Sequence, residues 1–214
     1  MKHLEILYED DSVIIVNKPA GLAVQGGKGV KTSLDNILAE IRSPPPLLVH
    51  RLDKDTSGVL LAAKHREAAA ELSRLFGASG RVVKQYTAVC ARCPDKEEDT
   101  ITHDITINGR LKKAETRYRV IKSGSLNSGE AFSVLEIELG TGRMHQIRRH
   151  LAMIGNPVLG DDKYGDFSLN KKLRKCAGLK RLLLHASRLV IKDRLQLDIK
   201  APLPEYFDLS LNYL

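Results

Sequence analysis

From residue 82 to residue 139 one strand-like stretch follows another with no helix between them, and this spacing constrains the fold more than any other feature. Val82–Val89 alternates apolar and polar residues, and segments near 101–107, 114–122 and 132–139 repeat the pattern. A parallel pair needs a crossover of a dozen or more residues, whereas neighbours joined by short turns pair antiparallel. The fold class read from the sequence is therefore α+β, with a mixed, largely antiparallel sheet and flanking helices.

The other elements fit that frame. Residues 4–8 and 12–17 read as strands, stopped by Lys18-Pro19-Ala20-Gly21. Thr32 or Ser33 is expected to cap a helix reaching about Arg42, with Leu34, Ile37, Leu38 and Ile41 on one face and Pro44-Pro45-Pro46 ending it. A strand leading into Asp53, a strand over Val59–Ala63 and a helix near 65–76 follow. At 214 residues, 43% of them hydrophobic, the chain can bury one good core, so a single domain over 1–214 is expected.

Charge narrows the partners. Lys and Arg number 34 against 26 acids, for a net charge of +8. Between Arg143 and Arg188 there are 11 basic and 3 acidic residues, leaving 23 of each elsewhere, so the whole excess lies in that segment. Such a patch suits a polyanion, although a solvated basic face satisfies the same numbers. The chain opens without a secretory leader and has no apolar run of bilayer length, which gives a cytoplasmic expectation with no membrane partner. Three cysteines make no even disulfide framework; Cys90 and Cys93 form one C-x-x-C, read as inward-facing thiols on a strand rather than a metal site.

Chemistry concentrates in two places. In His50-Arg51-Leu52-Asp53-Lys54-Asp55-Thr56-Ser57-Gly58, a carboxylate stands between basic side chains at a strand–turn–strand junction. Alternation sends Arg51 and Asp53 to one face, with Val49 and Leu52 as core anchors. In Gly140-Thr141-Gly142-Arg143-Met144-His145-Gln146-Ile147-Arg148-Arg149-His150-Leu151, a helix running to Gly155 is expected to bury Met144, Ile147, Leu151 and Ile154. Arg143, His145, Gln146 and Arg148 are of the types that contact phosphates or a carboxylate, and a plain solvent-facing basic helix fits the segment equally well. His145 and His150 lack the glutamate and the spacing of a zinc pair, so no metal is expected there.

Other readings start from the same residues. Gly26-Gly27-Lys28-Gly29 is similar to a phosphate-binding loop but departs from its pattern, and reads as a plain loop. Asp53 and Asp55 with Asp161, Asp162 and Asp166 suggest a magnesium-dependent phosphohydrolase, against which stand Arg51 beside the cation site and the lack of a strand–helix rhythm. A non-catalytic RNA-binding protein accounts for the charge alone.

Five motifs in order resemble the RluA/RluC group of RNA pseudouridine synthases: Lys18-Pro19-x-Gly21, His50-Arg51-Leu52-Asp53-x-x-Thr56-Ser57-Gly58, Tyr86 in Lys84-Gln85-Tyr86-x-Ala88, Thr141-Gly142-Arg143-x-His145-Gln146-Ile147-Arg148, and Gly155-Asn156-Pro157-x-x-Gly160-Asp161 with Arg181–Ala186 after it. An S4-like domain, often found before the first motif in that group, is not seen. The resemblance implies a pseudouridine synthase fold with a central active-site cleft. It implies an isomerase that converts uridine in RNA, of the 23S-type large-subunit ribosomal kind, to pseudouridine on a flipped-out base, with no cofactor and no metal, acting as a monomer. By position, Asp53 is the nucleophile, Arg148 its counter-ion, and Tyr86 stacks on the base or helps remove the C5 proton. Arg51 fills the space left by the flipped base, and Thr56, Arg143, His145, Gln146 and Arg149 join it in holding RNA.

Overall fold

The run Val13–Val16 is fully buried because strands flank it on both edges and side chains cover both faces. In the computed structural model, which describes residues 4–27, 29–78, 80–126, 129–193 and 196–207, this run belongs to β2 (Val13–Lys18). It lies between β1 (Glu5–Glu9) and β4 (Ser57–Ala63), antiparallel to each. All seven residues of β4 are buried, as expected of a strand covered on both faces. Gly58, at φ 111°, lets β4 pass so close to a neighbouring backbone that a Cβ would sit 2.1 Å from the Ala186 carbonyl oxygen.

The chain gathers into two compact units, one formed by residues up to Lys84 together with Ala186–Pro202, the other by Gln85–His185 together with the chain from Leu203. In the first, β3 (Leu47–Leu48) also pairs with β4, and β12 (Leu197–Lys200) pairs with β11 (Leu184–Ile191). Helices α1 (Leu34–Ile41) and α2 (Arg66–Gly77) belong to this unit. α2 buries Ala68, Leu72 and Leu75 among Val13, Ile15, Val59 and Leu61, a leucine buried in this way contributing about 2 kcal/mol.

In the second unit β5 (Val82–Ala91), β10 (Ala131–Leu139), β9 (Thr116–Ser125) and β6 (Glu98–Ile101) follow one another antiparallel. A separate hairpin joins β7 (Ile105–Ile107) to β8 (Arg110–Lys112). Helices α3 (Gln146–Met153) and α4 (Phe167–Cys176) complete the unit. Its core gathers Val89, Phe132, Leu159, Leu173, Leu183 and Phe207.

Several expectations need correction. The segment 101–107 is two strands broken at 102–104, and the His103 carbonyl at the break is taken by His150. Asn108-Gly109, the sequence signal for the hairpin, sits at φ 49° and 75° as a tight two-residue turn requires. α3 begins at Gln146 because His145 adopts φ 54°, and that turn leaves Met144 exposed instead of in the core. Val49–Asp53 lies outside the strands. Cys90 is buried in β5 while Cys93 is exposed, so the two thiols do not share an inward face.

Candidate active site

Asp53 is half-buried in a non-strand segment between β3 and β4, with Arg51 exposed and Leu52 anchored in the interior. The Thr56 amide donates to the Asp53 carbonyl at 3.2 Å, closing a four-residue turn, and Thr56 is itself buried. The next carbonyl, that of Lys54, accepts from the Gly21 amide at 2.9 Å and from Lys18 Nζ at 2.9 Å.

Lys18 is fully buried and also donates to the carbonyls of Pro19 (3.0 Å) and Leu22 (2.9 Å). Burial pushes its ammonium down to about 7, against the opposing pull of Asp55 and Asp53. Three carbonyl acceptors require three N–H donors, which only the charged form supplies. The Lys18-Pro19 motif thus ties the loop after β2 to the backbone one residue beyond Asp53.

His50 holds the other end of the segment. Its Nε2 accepts from the Leu61 amide at 2.9 Å and its ring stacks on Phe76 of α2, centroids 4.5 Å apart. Burial, with a smaller contribution from Lys84, pushes its pKa down to about 3, so the ring is neutral with the proton on Nδ1.

In the second unit the polar side chains of α3 turn inward. Gln146 donates from Nε2 to the Glu115 carbonyl (2.8 Å) and to Thr116 Oγ1 (2.9 Å), while its Oε1 accepts from Thr141 Oγ1 (2.7 Å) and the Arg143 amide (2.9 Å). His150 Nε2 donates to the His103 carbonyl at 2.8 Å, which leaves Nδ1 to accept from the Thr116 hydroxyl at 2.9 Å. Burial lowers the pKa of His150. Arg143 Nε donates to the Lys113 carbonyl at 3.1 Å and Arg149 Nη1 to the Thr106 carbonyl at 3.0 Å. Four side chains of this segment therefore hold the backbone of residues 103–115. Tyr86 is buried in β5 opposite Ile137 of β10.

Arg148 is buried, and its Nε and Nη2 each donate at 2.8 Å to one oxygen of Asp161, itself 1% exposed. Burial pushes the Asp161 carboxyl up, but hydrogen bonds from Arg148 and the amides of Tyr164 and Lys163 outweigh it and hold the group below the usual carboxylate range. The Arg148 guanidinium carbon lies 5.3 Å from the Tyr164 ring centroid, and the Tyr164 hydroxyl meets His145 Nδ1 at 3.1 Å. Arg51, Asp53 and Thr56 thus share one segment of the first unit. Arg143, His145, Gln146, Arg148 and Arg149 cluster around the start of α3. Sequence reasoning missed the roles of Lys18, His50 and Tyr164, since only tertiary contacts reveal them.

The sequence pattern of the RNA pseudouridylate synthase family matches residues 12–153. The chain belongs to this family. It is 37% identical over 222 residues to the ribosomal large subunit pseudouridine synthase C of Rickettsia bellii, covering 95% of this chain and 69% of that protein. It is 34% identical to the protein of the same name in Vibrio cholerae, over 96% of this chain and 68% of the relative. Among solved structures it superposes on human RNA pseudouridylate synthase domain containing 4 with a TM-score of 0.81, at 28% identity over 98% of this chain and 92% of that one. The fold is that of the pseudouridine synthases, and the chain is an isomerase of uridine in RNA. Family membership overturns the phosphohydrolase and non-catalytic readings. Two carboxylates invoked for the former have other work, since Asp161 binds Arg148 and Asp166 caps α4 and pairs with Arg92. Among the described residues no three His, Cys, Asp or Glu side chains gather as a metal site.

Proposed function

We propose that this enzyme isomerises uridine in large-subunit ribosomal RNA, with Asp53 as the nucleophile. The carrying observation is that Asp53 lies within the family match on a turn whose backbone is pinned by a buried lysine and a half-buried histidine. Its carboxylate attacks C1′ of the ribose and displaces the uracil N1, or adds to C6 of the ring. In the first route the base rotates and C5 attacks C1′, displacing the carboxylate. The C5 proton is lost and N1 gains one, so the product is an isomer and no oxidant or reductant is consumed.

Arg148 is the counter-ion that keeps the Asp53 carboxylate ionised, and Tyr86 packs on the base or assists loss of the C5 proton. A stacked uridine must leave its strand, at a cost of roughly a few kcal/mol, and Arg51 fills the vacated space. Arg143, His145 and Arg149 contribute to RNA contact near α3; Gln146 serves by fixing that region, its amide being fully used inside the unit. Thr56 supports the Asp53 turn rather than reaching RNA, being buried. The two units act as one catalytic domain, as a monomer in the cytoplasm, without metal or cofactor.

The test is to map pseudouridine in unmodified large-subunit ribosomal RNA after incubation with wild type and with Asp53→Asn, with and without chelator. New pseudouridine from wild type in both conditions and none from Asp53→Asn is expected. Activity surviving Asp53→Asn overturns the nucleophile, modification of transfer RNA alone overturns the substrate, and loss on chelation overturns the metal-free mechanism.

A further inference from the structure

Arg148 is held more tightly than a counter-ion needs to be. Both oxygens of Asp161 grip the Nε/Nη2 edge of its planar guanidinium at 2.8 Å, and the ring of Tyr164 covers the group at 5.3 Å. Two parallel bonds fix how the plate is rotated within its plane. A ring against the plate restrains its tilt.

The grip is itself braced. Asp161 Oδ1 also accepts from the amides of Lys163 (2.9 Å) and Tyr164 (3.0 Å). Asn170 of α4 donates to the Asp161 carbonyl at 2.9 Å and accepts from the Gly160 amide at 2.9 Å, so one side chain fixes the backbone on both sides of the aspartate. Gly160, at φ 77°, lets this turn approach the chain at Arg181 so closely that a Cβ would meet that carbonyl oxygen at 2.0 Å. The Tyr164 hydroxyl is bonded to His145 Nδ1, three residues before Arg148.

We infer that Asp161 and Tyr164 are positioning residues for Arg148: the aspartate sets the direction of the guanidinium's donors and the tyrosine ring sets its plane. The inference rests on the reading of Arg148 as partner of Asp53, and it gives Asp161 and Tyr164 a part in the reaction although neither takes a chemical step. Asparagine at 161 would present an NH2 group to a guanidinium that only donates, so one of the two bonds is lost and the plate turns. A misplacement of about 1 Å in a reacting group can lower a rate by about 100-fold.

The experiment is a double-mutant cycle read by the single-turnover rate at saturating enzyme, with the RNA dissociation constant measured separately. Asp161→Asn is expected to lower the rate about 100-fold with RNA affinity unchanged, and to add nothing further in an Arg148→Met background. Tyr164→Leu, which removes the ring, should lose about 10-fold, and Tyr164→Phe, which keeps the ring and gives up only the bond to His145, should lose clearly less. Additive losses for Asp161→Asn and Arg148→Met, or a wild-type rate in folded Asp161→Asn, would overturn the inference. A wild-type rate in Arg148→Met instead overturns the counter-ion reading beneath it. Should Asp161→Asn fail to fold, the Tyr164 pair decides: equal rates for Phe and Leu sink the proposal.

Discussion

The segment Arg51–Ser57 and the segment Gly142–Leu151 are both rich in polar residues, yet they use them in opposite directions. In the first, Asp53 sits on irregular backbone fixed by groups from elsewhere in its unit: Lys18 and Gly21 on the Lys54 carbonyl, Leu61 on His50. In the second, α3 and the turn before it carry the polar groups, and those groups do the fixing, with Arg143, Gln146, Arg149 and His150 all bonded to carbonyls between 103 and 115. A backbone carbonyl takes its donor from whichever side chain the fold brings to it. Residue type therefore says that a side chain can contact a phosphate, and its partner in the fold says whether it is already engaged.

The contrast breaks most sharply at Asp53. Asp53→Asn should lower the isomerisation rate by at least about 10⁴-fold with RNA affinity retained, and a smaller loss would make this segment scaffold like the other. Lys18→Met comes next. Stripping the donor from three carbonyls should destabilise the first unit by about 3 kcal/mol, read by denaturant unfolding; an unchanged midpoint would mean the turn holds itself.

Gln146→Leu sharpens the other side. Loss of its amide leaves Thr116 and the Glu115 carbonyl short of a donor, at a cost of about 2 kcal/mol, while the salt dependence of RNA binding stays as in wild type. A shallower salt slope with full stability would show instead that Gln146 faces the RNA.

The neutral His50 ring supplies a pH signature. The unfolded chain takes up a proton on this histidine as pH falls through about 6.5, whereas the folded chain resists until about 3. Stability is thus fully present above the unfolded value and is lost progressively between the two, by about 1.4 kcal/mol per pH unit. His50→Gln should flatten the acid limb of stability against pH by that slope, and an unaltered limb would mean that the ring is charged in the native protein. His150, lowered in the same direction, adds to the wild-type slope. The smallest effect belongs to Arg149→Ala. Its bond to the Thr106 carbonyl lies at an exposed site, so unfolding should shift by no more than about 1 kcal/mol, and RNA binding should lose about one contact from its salt slope.

Much of the fold was legible because burial on two faces leaves a plain mark. Val13–Val16 and the apolar stretch around Val59–Ala63 read as strands and are strands. The motif containing Asp53 was legible as part of a family resemblance, and it lies within the family match over residues 12–153. The limits of α3 were not, because periodicity cannot see that His145 takes a left-handed conformation and delays the helix start. Nor could the inward turn of Gln146 and His150 be read, as it depends on the chain at 103–116, some thirty to fifty residues away.

By itself the amino-acid order determined the class of fold and the family, both of which follow from local alternation, turn residues and short motifs read along the chain. Only the tertiary structure decided which charged and polar groups serve the protein's own backbone. Hydrogen-bond partners are set by distance in space, and a buried lysine bonded to the Lys54 carbonyl or a guanidinium clasped by Asp161 exists only once separate segments of the chain have packed together.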